Sequence, residues 1–269
     1  MGLRRTSEER QRAHEGDNRT AHLRIAAEYR DQILSGDIEA GEDLPSTGDM
    51  CKEFGASTTA VQNAMRALKE EGLVVGHRGK GITVREHRMT AMRPAAYFAP
   101  VEPGEPYRWI AEAQRRGMTA ESELLQVAEV VPPLSVAKAL GIASDGTAVL
   151  RRQLLKLNGE PAELVESYYP IEIAAGTAIT ERKKVKGGVP TLLAGMGYPF
   201  HRAVDRVSAR TPTADQGVYL KMPVGELPVL RTFRTVYSAD DRVIEVTVMA
   251  KAGHLYELEY EVASDQLGG

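Results

Sequence analysis

The sequence predicts an α+β protein in two parts, a helical N-terminal unit closed by a β-hairpin and a larger unit built on an antiparallel sheet. Three observations predict it. From Ala21 to Val84, helical apolar patterns give way to a hairpin whose turn is rich in Gly and basic residues. From Glu86 to Tyr107 the chain holds Pro94, Pro100, Pro103 and Pro106 with little periodicity, the composition of a linker. From Glu121 onward strand patterns come in pairs around turns, which reads as an antiparallel sheet with helices at its margins. A length of 269 residues suits two domains of roughly 100–200 residues each.

Each element has a local cause. Leu23, Ile25, Ala26, Tyr29, Ile33 and Leu34 recur at helical spacing over Ala21 to Leu34, and Ser35-Gly36 ends that helix because Gly accepts the left-handed cap. Gly41 to Pro45 is a turn, and Ser46 with Asp49 has capping-box spacing for a short helix over Thr47 to Phe54. Gly55 ends it and Ser57 caps a third helix, whose buried stripe is Val61, Ala64, Met65 and Leu68. Leu73 to Gly76 and Ile82 to Arg85 are short strands joined through His77-Arg78-Gly79-Lys80-Gly81. Past the linker, a short helix is expected over Arg108 to Arg116, a strand from Glu121, and a helix over Ser135 to Leu140. Two strands then flank Asn158-Gly159, a hairpin turn by its residues. A weaker segment spans Thr191 to Gly197, and His201-Arg202 reads as an exposed loop or helix start. A second strand pair turns at Ser238 to Asp241, and His254 to Val262 is a last strand.

Composition excludes several classes. A hydrophobic fraction of 42% supports real cores, and net charge is −3, so there is no global basic signature. The single cysteine, Cys51, rules out an internal disulfide and any multi-cysteine zinc site, and fits a reducing cytoplasm. No run approaches the ~20 apolar residues that span a bilayer, so no membrane partner is expected. Residues 1–19 are polar and mixed in charge, a flexible arm rather than a signal peptide. The six histidines are dispersed and none stands in a metal-binding motif. No nucleophile, base and orienter come together, so no catalytic residue, metal or cofactor is expected. Gly187-Gly188 and Gly195 to Gly197 lack the lysine pattern of a phosphate-binding loop.

Three helices followed by a hairpin describe a winged helix-turn-helix over residues 20–86, a module that places its second motif helix in the major groove of DNA. The leading residues of that helix are Ser57, Thr58, Thr59, Gln62 and Asn63, and no charge occurs between Phe54 and Met65. Such a surface does not repel phosphates; Ser and Thr can bond backbone oxygens, while Gln and Asn match adenine bidentately. The core stripe places Thr58, Thr59, Gln62 and Arg66 outward, with Asn63 intermediate. Ser46 and Thr47 open the preceding helix, and the wing offers Arg78, Gly79 and Lys80. Residues 1–86 carry 13 Lys/Arg against 15 Asp/Glu, so affinity per monomer should be modest and two-fold dimerisation should supply avidity.

These residues resemble the GntR family of bacterial transcriptional regulators. The matching blocks run Ile33 to Ser46 (I-L-S-G-D-I-x-x-G-x-x-L-P-S), Phe54 to Val74, and Gly79 to Val84 (G-K-G-I-T-V), in order and with the right gaps. At three positions where the family commonly carries Arg, this chain has Gly48, Thr58 and Gln62. Bidentate guanine reading is thereby lost, and base preference should lean on Gln62 and the wing. The C-terminal part is similar to the ligand-sensing domain of the HutC-type branch, called UTRA, with a chorismate-lyase-like fold. The similarity rests on Pro133 to Ile142, Leu150 to Pro161, Glu166 to Pro170, Leu227 to Tyr237 and Arg242 to Val246. It implies that residues 108–265 bind a small-molecule effector and dimerise, with residues 87–107 as linker.

Strand alternation puts Arg151 and Gln153 on one face and Arg152 on the other, and Ser167 with Tyr169 on one face. Those residues, with Glu245 and Tyr256, are the candidate effector site that the resemblance implies. Many relatives have Arg where Gln153 stands. The expectation is an effector-responsive, dimeric repressor of a palindromic operator on double-stranded DNA, cytoplasmic and associated with the nucleoid when bound. The competing readings are a constitutive DNA-binding protein whose C-terminal domain only dimerises, and an enzyme fused to a DNA-binding module.

Overall fold

The structure, a computed structural model, describes residues 17–77, 81–85, 90–92, 101, 107–222 and 227–258. It divides into two compact units, Met1–Met89 and Thr90–Gly269.

In the first unit, helix α1 (Ala21–Ser35) ends on Gly36, whose φ of 82° is the left-handed cap that a side chain would resist. Helix α2 (Thr47–Phe54) starts on Ser46, whose hydroxyl oxygen accepts from the Asp49 N–H at 3.2 Å and donates to the Asp49 carboxylate at 2.6 Å. The shorter Asp thus engages the cap hydroxyl. Helix α3 (Thr58–Glu70) starts on Ser57, which accepts from the Ala60 N–H at 3.2 Å. Strands β1 (Val74–His77) and β2 (Gly81–Val84) pair antiparallel with His77 opposite Gly81. The segment at Asp43 bridges to Thr83, and the Leu44 N–H donates to the Ile82 carbonyl at 2.8 Å, so the turn before α2 lies along the hairpin. The core joins Ile25 and Tyr29 of α1, Met50 of α2, Val61, Ala64, Met65 and Leu68 of α3, and Val74 and Val84 of the hairpin. Burying this set is the main source of the unit's stability, at roughly 25 cal/mol per Å² of apolar surface.

The second unit opens with β3 (Thr90–Met92), inside the segment expected to be linker, and it pairs in parallel with β10 (Tyr256–Leu258). Helix α4 (Arg108–Arg115) leads to β4 (Ala120–Val130), then α5 (Leu134–Leu140), β5 (Ala148–Leu157) and β6 (Glu160–Pro170). Asn158 and Gly159 turn the β5–β6 hairpin with φ of 51° and 81°. Short helices α6 (Ile171–Ala174) and α7 (Val189–Gly195) flank a 3₁₀ turn at Ala178–Thr180. Strand β7 (Arg202–Arg210), helix α8 (Ala214–Tyr219), and strands β8 (Val229–Tyr237) and β9 (Val243–Ala252) complete the unit.

The main sheet has six strands in the order β4-β5-β6-β9-β8-β7, all neighbours antiparallel. One face packs α5 against Leu150, Tyr168, Phe233 and Val246. The other packs Trp109 of α4 on Leu155, and α7 on Tyr169, Val236 and Ile244. Two expectations are corrected. His201 is an exposed loop residue as expected, but Arg202 beside it begins a nine-residue edge strand. The last strand begins at Tyr256 rather than His254, which lies in a turn with Leu255, and residues 259–262 of the expected strand lie outside the described residues.

Candidate functional site

The two units each present a candidate site. In the first, α3 buries Val61, Ala64, Met65 and Leu68 and turns Thr58, Thr59, Gln62 and Arg66 to the surface. Residues three and four apart share a helix face, so burying the stripe at 61, 64, 65 and 68 forces 58, 59, 62 and 66 outward. Asn63 is half-buried. Ser46 and Ser57 are exposed and serve as N-caps, while Thr47 is half-buried at the start of α2. The N-terminal end of α3 therefore offers hydroxyl and amide groups without a carboxylate. Arg30 of α1 grips Glu71 just past α3, its Nε donating at 2.5 Å, and holds the helix from its far end. Arg78, Gly79 and Lys80 of the wing lie outside the described residues.

The second site is a hollow on the sheet face that carries Leu155, Val165, Ser167 and Thr247. Its two lobes share Tyr107, Leu155, Val165, Ser167, Pro190 and Glu245. The outer lobe, with an empty volume of about 800 Å³ including its open mouth, holds Arg151, Gln153, Ser167, Tyr169 and Glu245 together. The sheet register explains this: Arg151 faces Ser167, Gln153 faces Val165, and Ser167 faces Thr247 across adjacent strands. Arg152 points to the opposite face, where it pairs with Glu166 at 3.1 Å and Asp215 at 2.9 Å and lies over the Tyr219 ring.

The groups in this hollow are largely occupied with one another. Arg151 is buried, and its guanidinium donates to the carbonyls of Ile179 at 2.8 Å, Glu181 at 3.0 Å and Lys183 at 2.7 Å. It clamps the segment after the 3₁₀ turn, and burial lowers its basicity. Ser122 of β4 donates to Gln153 at 2.8 Å. Glu245 accepts from the hydroxyls of Ser167, at 3.1 Å, and Thr247. Burial pushes its carboxyl above the ordinary value, outweighing those bonds and the Arg234 charge. Burial, then the Glu245 charge, raises the Tyr169 and Tyr107 phenols. Tyr256 lines neither lobe; it is buried beside them and donates to Glu163 at 3.0 Å.

Sequence reasoning reached only Ser167 and Glu245 of the inner lobe, whose empty volume is about 840 Å³ including its open part. Its further lining includes Trp109, Glu163, Thr232, Arg234, Thr247 and Lys251. Alternation along β8 and β9 is the signal that would have found most of them, because Thr232 and Arg234, and Thr247 and Lys251, follow the face of Glu245. Trp109 comes from a helix, and no periodicity ties it to that face.

A winged helix-turn-helix head joined to an antiparallel-sheet domain is the architecture of a DNA-binding transcriptional regulator. Residues 21–84 match the family described as bacterial regulatory proteins, gntR family, and residues 115–257, more than half of the chain, match the UTRA domain. The chain belongs to the GntR family of bacterial regulatory proteins, in the group that carries a UTRA domain. It is 29% identical over 244 residues to the HTH-type transcriptional regulator SCO4628 of Streptomyces coelicolor, covering 88% of this chain and 90% of that protein. It is 22% identical over 236 residues to the HTH-type transcriptional repressor NagR of Bacillus subtilis, covering 87% and 91%. The crystal structure of PhnF from Mycobacterium smegmatis superposes with a TM-score of 0.55 at 20% identity, over 89% of this chain and 99% of that one, which shows the shared fold. SCO4628 and NagR are transcriptional regulators, and the chain, a member of the same family, is a regulator rather than an enzyme.

Proposed function

We propose that the protein is an effector-responsive repressor that binds a palindromic operator as a homodimer. The observation that carries the reading is the surface of α3, where Thr58, Thr59, Gln62 and Arg66 stand outward above a closed core stripe. Gln62 reads a base edge, Thr58, Thr59, Ser46, Thr47, Ser57 and Asn63 bond phosphate oxygens or adjoining bases, and Arg66 with Arg78, Gly79 and Lys80 of the wing holds the backbone. The likeness to a named repressor supports the sign of regulation. Residues 20–86 act as head, residues 108–265 as sensor and dimer contact, and residues 87–107 relay between them. The protein works in the cytoplasm, on the nucleoid when bound to DNA.

The effector occupies the hollow on the sheet, near Arg151, Gln153, Ser167, Tyr169 and Glu245. It changes operator affinity only to the extent that it binds two arrangements of the dimer unequally. Binding-site selection from random duplexes tests the DNA half. The wild-type chain should return a two-fold symmetric sequence, and Gln62→Ala should relax one base position in each half-site. Recovery of an unchanged symmetric site by Gln62→Ala would refute its role as reader.

A further inference from the structure

The inner lobe holds two buried polar groups that find no partner among the described residues, the indole Nε1–H of Trp109 and the hydroxyl of Thr232. Both residues are only 2% exposed, and they reach the lobe from different elements, α4 and β8. Buried donors are almost always matched, so a pair of unmatched ones lining a single cavity marks a place where an outside group completes the bonding.

The charges around the lobe define what that group is. Lys251 is paired with Glu163 at 2.9 Å. Arg234 closes on Asp205 with two bonds, Nε to Oδ1 at 2.7 Å and Nη2 to Oδ2 at 2.5 Å. Glu245 takes hydroxyl donors from Ser167 and Thr247. Each charged side chain that lines this lobe among the described residues is thus engaged within the protein. An anionic ligand would have to displace Asp205 or Glu163 from a fitted partner. An uncharged one needs only to meet Trp109, which can donate but never accept, and Thr232, which does both. The remaining walls include the rings of Tyr107, Trp109, Tyr198 and Phe200. Flat aromatic faces beside isolated polar groups suit a molecule with an aliphatic C–H face and a rim of oxygens.

We propose that the inner lobe is a ligand subsite for a small, uncharged, hydroxyl-rich molecule, recognised by the indole N–H of Trp109 and the hydroxyl of Thr232. The proposal rests on the sensor reading above and gives that sensor its ligand class. It also supplies a readout, because Trp109 is the only tryptophan of the chain. It stands in the first turn of α4, so occupancy of the lobe acts on the helix that leads into β4.

The test is a fluorescence and thermal-shift titration of the full-length protein. The probes are glucose, galactose, mannose, N-acetylglucosamine and myo-inositol, each beside its phosphate monoester, with inorganic phosphate as a further arm. At least one neutral probe should change Trp109 emission saturably and raise the melting temperature. Thr232→Val should weaken that probe by about 3- to 10-fold, the size of one lost neutral hydrogen bond, while the unliganded protein melts no lower than wild type. Trp109→Phe, followed by thermal shift alone, should weaken it similarly.

Tighter binding of the phosphate monoesters by tenfold or more would overturn the ligand class and leave the sensor standing. Neutral binding untouched by both substitutions would overturn the subsite. Failure of every probe to bind would overturn the ligand class, and the sensor reading then stands or falls separately on whether cell extract lowers operator affinity.

Discussion

Glu163 and Lys251 stand directly opposite each other on β6 and β9, carboxylate to ammonium at 2.9 Å, with both side chains almost fully removed from solvent. Tyr256 adds its hydroxyl to the same carboxylate at 3.0 Å. Two charges sealed together contribute little net stability, but separating them is costly. Glu163→Leu strands an ammonium in the sheet and should lower stability by about 3–5 kcal/mol in urea unfolding. Adding Lys251→Met should return most of that loss. A single substitution costing less than about 1 kcal/mol would show that Lys251 escapes to water.

Glu245 makes stability depend on pH in an unusual direction. Burial raises its folded-state pKa above the ordinary value of 4.5, so the native state binds its proton more tightly than the unfolded chain does. Both states are protonated at low pH and the group contributes nothing there. As pH rises from the ordinary carboxyl range through the raised folded value, the native state must ionise a buried group, and stability falls. Glu245→Gln removes that proton equilibrium while keeping the acceptor for Ser167 and Thr247. The difference in unfolding free energy, variant minus wild type, should grow with pH across that window and then level off. A difference that is flat or shrinks with pH would contradict the assignment.

Ser57 matches one of the orphan N–H groups at the start of α3. Ser57→Ala should cost about 1 kcal/mol of stability in the head. Hydrogen exchange should show the loss at residues 59–62, with the sheet domain unchanged.

Arg66 is exposed on the outward side of α3 and is the one cation in the stretch from Phe54 to Leu68. Arg66→Ala should weaken operator and random DNA alike and reduce the salt slope by about 1 per head, or about 2 per dimer. A loss confined to the operator would instead make Arg66 a base reader.

The head was legible because its elements are governed by nearby residues. Ser46 and Ser57 announce their helices, Gly36 and Gly55 end theirs with left-handed backbone, and the stripe Val61, Ala64, Met65, Leu68 sets the phase of α3. The β5–β6 hairpin was equally plain from Asn158-Gly159. Strand β7 was not, because it lies at the sheet edge. Its sequence RAVDRVSAR leaves Val204 and Val207 at 44% and 42% exposure, so no buried alternation is written into it. What identifies β7 is long-range pairing with β8, and the two-point bond of Asp205 to Arg234 that this pairing permits. Helix α8 did carry a local signal, the capping box of Thr213 with Gln216. The hollow was half legible. Alternation gathers Arg151, Gln153, Ser167 and Tyr169, but that Arg151 is consumed by carbonyls of a distant loop is a tertiary fact.

The parallel pairing of Thr90–Met92 with Tyr256–Leu258 binds the way into the sheet domain to the chain's far end. A stop codon before Tyr256 would remove the strand that β3 pairs with and the hydroxyl that steadies Glu163, while leaving every residue of the head's core in place. Such a truncation should leave the head's core whole while β3 loses the strand it pairs with.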